Sequence, residues 1–213
     1  MSSDITLYTW ATPSGIRASI TLEELDLPYE TRPMDIMTNI QKEEWFLKIN
    51  PNGRVPAITY GSQRVFESGS IMLYLTDKYD TERKISHAPG QANHFRLFTN
   101  VRSDYGTKRY IDETRRLYSV LESRLKESPY LAGSKYTIAH ISNFTWARNG
   151  PSVLDIDFSE FPALKKWVNE IEQRAAVQKG ADVPHTGRSD ADRDVFIKSM
   201  LARIAGMTNT DKH

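Results

Sequence analysis

Cysteine is absent from all 213 residues. The chain can therefore supply no disulfide, no thiolate nucleophile, no Cys-x-x-Cys redox pair and no thiolate-bound zinc. An excess of charge of one sign is also missing. Lysine and arginine number 28 against 27 acids, a net charge of +1, so the strongly basic footprint of a nucleic-acid binder is not there. No apolar run approaches the roughly 20 residues of a membrane span, and the opening Met-Ser-Ser-Asp is not a basic-then-apolar leader. His87, His94, His140, His185 and His213 fall in no metal-ligating spacing. The expectation is a cytoplasmic globular protein with no metal and neither nucleic acid nor membrane as partner. Asn143-Phe144-Thr145 matches a glycosylation sequon that such a location leaves silent.

What is present divides into two patterns. In the first 80 residues, Ile5-Thr6-Leu7-Tyr8-Thr9 alternates as a strand. A Pro-containing loop, Trp10 to Gly15, carries a helix-start signal at Ser14, and Ile16, Ile20, Leu22 and Leu25 form a helical face. Tyr29 to Arg32 reads as a second strand, parallel to the first, since a crossover helix separates them. A short helix at Glu44-Trp45-Phe46-Leu47 is stopped by Asn50-Pro51-Asn52-Gly53. Val55 precedes a proline and is pushed to extended geometry. Ala57 to Tyr60 and Arg64 to Phe66, joined by Gly61-Ser62, predict a hairpin. A helix follows from about Glu67 to Tyr79, with Ser68 as a good cap type. Strand–helix–strand, then two strands and a helix, makes a thioredoxin-like α/β unit.

Beyond Asp80 the strand patterns stop. Tyr110, Thr114, Leu117, Leu121 and Leu125 predict a helix over 104–125, Thr137 caps another through Trp146, and Pro162 opens a third carrying Leu164, Val168 and Ile171. Residues 180–189 read as a linker, and Asp190 to Met207 as a last amphipathic helix. The expected fold is α/β plus all-α, with domains at 1–80 and 90–184 and a tail at 185–213.

Several runs in this order resemble one family. They are Thr12-Pro13-Ser14-Gly15, Asn50-Pro51-Asn52-Gly53-Arg54-Val55-Pro56-Ala57-Ile58, Phe66-Glu67-Ser68-Gly69, Gly90-Gln91-Ala92-Asn93-His94-Phe95, Glu113-Thr114-Arg115-Arg116-Leu117-Tyr118 and Ala176-Val177-Gln178. Over residues 4–184 the chain resembles glutathione S-transferases of the nu-class and fungal nitrogen-regulator-like branch. The resemblance implies glutathione as cosubstrate, an electrophilic small molecule as second substrate, and a homodimer. Three departures stand out. Only Thr81 to Pro89 fills the place of a long helix of the family's C-terminal domain, too few residues for several turns. His140 stands where the family has the aspartate of a Ser/Thr-x-x-Asp capping box, which predicts a loss of about 1 kcal/mol. Ser14 stands where the branch usually has asparagine.

The chemistry of the implied site follows from glutathione itself, with two carboxylates, an ammonium and a thiol. Its extended cysteinyl backbone suits the main chain of Val55 by strand addition. The γ-glutamyl carboxylate suits the helix N-terminus at Ser68, and Glu67 suits the ammonium. Arg54, with Gln41 or Asn52 nearby, suits the glycyl carboxylate; a solvated loop arginine is an equal alternative. A free thiol titrates near 8.5 and becomes a thiolate at pH 7 only beside donors and a helix N-terminus. Ser14 and Thr12 are the candidates for that role, and Tyr8, on the preceding strand, is a further hydroxyl. Trp10, Phe95, Tyr105, Tyr110 and Trp146 are candidate walls for the electrophile.

The function expected is addition of glutathione to an electrophile, or its isomerisation, in detoxification or secondary metabolism. Two alternatives stand beside it: glutathione-dependent disulfide reduction, and a non-enzymatic regulatory module of the same fold. A regulator of that branch is expected to carry an Asn/Gln-rich N-terminal extension, which this sequence lacks. The apolar stripe of the tail is expected to fold back over surface bared by the missing helix. Deleting residues 188–213 is then expected to lower the Tm or change the range of accepted electrophiles; no change in either would refute the docking.

Overall fold

The computed structural model describes residues 4–79, 104–132, 135–185 and 190–206. The segment 80–103, on which the shortened-helix expectation rests, lies outside the described residues, as does Phe95 within it.

Strand β1 (Ile5–Thr9) leads through helix α1 (Pro13–Glu24) to β2 (Glu30–Pro33). β2 runs parallel to β1, with Leu7 opposite Thr31. Two single turns of 3-10 helix (Ile36–Thr38 and Ile40–Lys42) and the short α2 (Glu44–Leu47) then lead to β3 (Ala57–Tyr60). β3 is antiparallel to β1, Leu7 opposite Ile58, and its hairpin mate β4 (Gln63–Phe66) places Tyr60 opposite Gln63. The order β2-β1-β3-β4 is a mixed sheet of thioredoxin type. Helix α3 (Ser68–Tyr79) follows β4.

The alternation in β1 decides the layers. Ile5 and Leu7 join Ala18 and Leu22 of α1, Ile58, and Ile71 and Leu75 of α3 in one buried cluster. Tyr8 points to the opposite face, against Met34, Phe46 and Ala57. One face of the sheet is thus covered by α1 and α3, and the other by the irregular 34–49 segment.

Among the described residues the further elements are helical: α4 (Asp104–Glu127), α5 (Ile138–Ala147), a π-helical turn (Gly150–Leu154), a 3-10 turn (Phe158–Glu160), α6 (Pro162–Glu172), α7 (Ala175–Ala181) and α8 (Asp190–Ala205). In α4 Asp104 opens the helix and Arg124 and Lys126 lie in its last turn, each sign at its favoured pole. Two compact units emerge. The first contains the described residues of Met1–Ser86 together with Tyr136–Thr145 and Ile171–Thr186; the second contains those of His87–Lys135, Trp146–Glu170 and Gly187–His213.

In the first unit, α5 and α7 pack on α1. Arg17, mid-helix and only 8% exposed, donates from Nε to Thr145 Oγ1 at 3.1 Å and from Nη2 to the Ser142 carbonyl at 2.8 Å. Burial lowers the Arg17 pKa to about 10, so the guanidinium stays charged at neutral pH. Ser19 Oγ donates to the Gly180 carbonyl at 2.6 Å. Arg174 grips Glu24 with two nitrogens at 2.8 and 2.7 Å, and Lys179 pairs with Glu23 at 2.6 Å. Residues 175–181 are therefore a helix whose place is fixed by α1, and its last two residues, Gly180 and Ala181, fall in the stretch that the sequence reads as a linker.

In the second unit, Tyr118 is 2% exposed, donates to the carbonyls of Trp146 and Ala147 at 3.3 Å, and meets the Phe158 and Phe161 rings edge-on at 5.8 Å. Glu122 Oε2 accepts from the Leu164 N–H at 2.8 Å, capping α6 from α4. The tail helix α8 packs against the 150–154 turn, with Ile197 and Met200 buried.

The α1–α7 contact leaves no room for a side chain at residue 180: a Cβ there would lie 2.6 Å from the backbone nitrogen and Cα of Ile20. Gly180→Ala is expected to cost about 1–3 kcal/mol, measured as a lowered midpoint of urea unfolding. An unchanged midpoint would show that the two helices separate freely.

Candidate functional site

The first unit holds two helix N-termini and a stretch of main chain that is unpaired among the described residues, and these make up the candidate site. At the end of β1 the chain turns into α1. The cap is Thr12, two residues earlier than the start signal at Ser14: its extended backbone (φ −109, ψ 155) and its Oγ1, which accepts from the Gly15 N–H at 3.1 Å, define the first turn. The sequence carried that information, because Pro13 is suited to the first helical position and makes its predecessor the cap. Gly15 is forced by close approach. A Cβ there would sit 2.2 Å from the Trp10 carbonyl oxygen and 2.5 Å from Thr9 Oγ1.

The donors at this helix start can be followed one by one. Pro13 has no N–H. The Gly15 N–H goes to Thr12 Oγ1 and the Ile16 N–H to the Thr12 carbonyl at 2.9 Å. Ser14 is left with both its N–H and its hydroxyl unpaired among the described residues, in a half-buried position. Thr12 Oγ1 has accepted one bond, so its own proton is free to be donated outward. Tyr8 is turned to the other face of the sheet, with its ring 5.8 Å from Phe46.

The second N-terminus belongs to α3. Ser68 is its first residue and not its cap; Glu67 occupies the cap position, its carbonyl accepting from the Ile71 N–H at 2.9 Å. Ser68 is 8% exposed, and the N–H groups and hydroxyls of Ser68 and Ser70 have no partner among the described residues. Glu67 holds φ at +69, a left-handed conformation that costs a non-glycine residue about 1–3 kcal/mol. Its Oε1 accepts from Asn52 Nδ2 at 3.2 Å. Asn52 is thereby engaged with Glu67, and its own carbonyl takes a bond from Lys42 Nζ at 3.4 Å.

Between the two helices lies the loop 50–56. Asn50, 1% exposed, holds it from inside: Nδ2 donates to the Arg54 carbonyl at 2.6 Å, Oδ1 accepts from the Asn52 N–H at 3.0 Å, and its carbonyl takes the Gly53 N–H at 2.9 Å. The sequence reading took Asn50 only as a helix stop; an asparagine just before Pro-Asn-Gly was the available signal for a loop-bracing amide. The Val55–Pro56 bond is cis. The Val55 side chain rests on the Met34–Phe46–Ala57 cluster, while its N–H and carbonyl have no hydrogen bond among the described residues. The Arg54 guanidinium is exposed and likewise without a partner there. Gln41 is buried, its Nε2 donating at 3.4 Å to the Ile36 carbonyl and its Oε1 accepting nothing.

The candidate electrophile walls are described unit by unit. Trp10 is half-buried at the end of β1 in the first unit, whereas Tyr105, 67% exposed, and Trp146 belong to the second.

A model of the glutathione S-transferase N-terminal domain matches residues 3–77, and one of the C-terminal domain matches residues 97–175. The chain belongs to the glutathione S-transferase family. Among curated relatives, the disulfide-bond oxidoreductase YfcG of Escherichia coli is 34% identical over 198 residues, covering 81% of this chain and 92% of that one. Glutathione S-transferase 2 of Schizosaccharomyces pombe is 33% identical, covering 81% and 93%. Among solved structures, a glutathione transferase homolog of Lodderomyces elongisporus with two glutathione molecules per subunit matches with a TM-score of 0.76 and 36% identity, over 86% of this chain and all of that one. The transferase URE2P6 of Phanerochaete chrysosporium, in complex with oxidized glutathione, matches with a TM-score of 0.75 and 33% identity over 84% and 94%. The chain thus falls in the Ure2-like branch.

Asn50→Ala would free the Arg54 carbonyl and the Asn52 N–H at once. It is expected to destabilise the protein by about 1–3 kcal/mol and to weaken glutathione binding in calorimetry. Wild-type stability and affinity together would show that the loop is held by other means.

Proposed function

We propose that this protein binds glutathione along the first unit and activates its thiol for attack on an electrophilic small molecule. The observation that carries the reading is the main chain of Val55, unpaired among the described residues and set in one unit with two helix N-termini that keep unpaired donors at Ser14 and at Ser68 and Ser70. The cysteinyl backbone of glutathione adds to Val55 as a short strand. Its γ-glutamyl carboxylate takes the N–H groups and hydroxyl at Ser68, with the positive pole of α3 behind them. Glu67 faces the ammonium. Arg54 meets the glycyl carboxylate, bordered by Gln41 and Asn52. The thiol then reaches the first turn of α1, where the Ser14 N–H and the hydroxyls of Ser14 and Thr12 stabilise the thiolate. The thiol proton leaves to solvent and the thiolate forms the new carbon–sulfur bond; at an aromatic halide the carbon–halogen bond breaks and halide leaves with its electron pair, and at an activated double bond the π pair shifts to the neighbouring atom, which takes a proton from solvent. A second copy of the chain as partner, a cytoplasmic location and a role in detoxification or secondary metabolism belong to the same reading.

A second reaction is disulfide reduction, favoured by the name of the Escherichia coli relative and by glutathione disulfide in a solved one. With no cysteine in the chain, both sulfurs that exchange would come from glutathione and substrate. The non-enzymatic alternative keeps glutathione bound without turnover.

Retention on immobilised glutathione tests the binding half, and a protein that flows through refutes it. For the chemistry, conjugation of glutathione to a generic aromatic halide is compared in the wild type, Ser14→Ala and Thr12→Val. The variant that removes the main thiolate donor is expected to lose about 10²-fold in rate while still binding glutathione. Binding without conjugation or disulfide turnover in the wild type would favour the regulatory module.

A further inference from the structure

The N-terminal turn of α5 is closed by a capping box in which histidine takes the place of a carboxylate. The Ala139 N–H donates to Thr137 Oγ1 at 3.3 Å, and the reciprocal bond, expected from the sequence to be lost, is made: the Thr137 N–H donates to His140 Nδ1 at 3.0 Å. Nδ1 also lies 3.2 Å from Thr137 Oγ1. His140 is 1% exposed, a buried residue at the third helical position. An imidazole nitrogen that accepts an N–H carries no proton, so the ring is the neutral tautomer with hydrogen on Nε2.

A carboxylate in this position would keep accepting down to the acid range near 4, whereas histidine loses its acceptor around 6.5. The groups facing the ring reinforce this. The Tyr136 ring lies 5.1 Å from the imidazole. Across that tyrosine stands Arg174, its guanidinium 3.9 Å from the Tyr136 centroid, itself paired with Glu24 of α1. Burial is the largest influence and lowers the His140 pKa; a backbone hydrogen bond with Thr137 works against it, the Arg174 charge works with it, and the net shift is downward. Helix α5 supplies the two acceptors for Arg17 of α1, Ser142 and Thr145, within two turns of His140.

We propose that His140 is an acid-sensitive latch, in which proton uptake at Nδ1 expels the Thr137 N–H, opens the first turn of α5 and loosens its hold on α1. The proton comes from solvent, and the bond broken is that from the Thr137 N–H to Nδ1. Because the unfolded chain binds this proton more readily than the folded one, stability is complete above about pH 6.5 and falls as pH drops from there towards the lower folded value. The consequence for the thiol site at the other end of Arg17's helix rests on the proposed glutathione function; the latch itself does not.

Two measurements on the full chain decide it. Tm is followed between about pH 7.5 and about pH 5 for the wild type, His140→Asp and His140→Asn, both of which keep an acceptor that does not titrate in this range. The wild type is expected to lose about 2–4 °C more than either variant. Parallel curves would overturn the proposal. Nitrogen-15 NMR of the wild-type histidines at about pH 7.5 is expected to show the His140 proton on Nε2, moving to the doubly protonated form as pH falls. A proton resident on Nδ1 at neutral pH would overturn it without recourse to any variant.

Discussion

Whatever is asked of the first turn of α1 depends on how firmly that helix is held, and a buried guanidinium does much of the holding. Arg17 sends two bonds into α5, to a hydroxyl and a backbone carbonyl. A charge this deep is costly to desolvate, and losing either acceptor would leave it worse compensated. The same helix is gripped at its far end by α7, where the backbone of Gly180 sits directly on Ile20. Two segments more than 120 residues downstream in the chain thus fix an element whose start lies at Thr12. The thioredoxin-type sheet alone does not do this: it fixes the inner side of α1 through Ala18 and Leu22 and leaves the outer side to α5 and α7.

At the other helix start, backbone strain concentrates at a single residue. Glu67 is held at φ +69, with Asn52 bonded to its carboxylate. Strain of this kind persists only where surrounding structure over-determines it. The hairpin behind it, the N-terminus of α3 ahead of it and the amide of Asn52 beside it supply that determination. Its effect is to project an acidic side chain immediately before two unpaired hydroxyls, so that opposite preferences, for a cation and for an anion, lie one residue apart.

The elements of the α/β unit were legible because their signals are local. The alternation in β1, the two-residue turn of the hairpin and the Asn-Pro-Asn-Gly stop of α2 each need only a handful of neighbouring residues. Helix α6 was announced by Pro162 and its apolar stripe. The site was legible in its residue types, through the runs around Ser14, Val55 and Ser68, but not in its bonding. That Asn52 would be taken by Glu67, that Asn50 would brace the loop from inside, and that Thr12 would be the cap all depend on where short polar side chains turn. The short helix α7 gave no periodic signal over seven residues, and its position is set by glycine contact with a distant helix. His140 misled in the opposite sense: the carboxylate was indeed missing, but an imidazole nitrogen in the neutral form has the same lone pair to offer.

The carboxylate of Glu122 has a consequence for how the second unit assembles. It accepts the Leu164 N–H, 42 residues later in the chain, so α6 lacks part of its N-terminal stabilisation until α4 is beside it. An isolated segment of α6's length is marginal in water. Closing the intervening loop must therefore precede or accompany winding of its first turn, and the entropy of that closure enters the barrier.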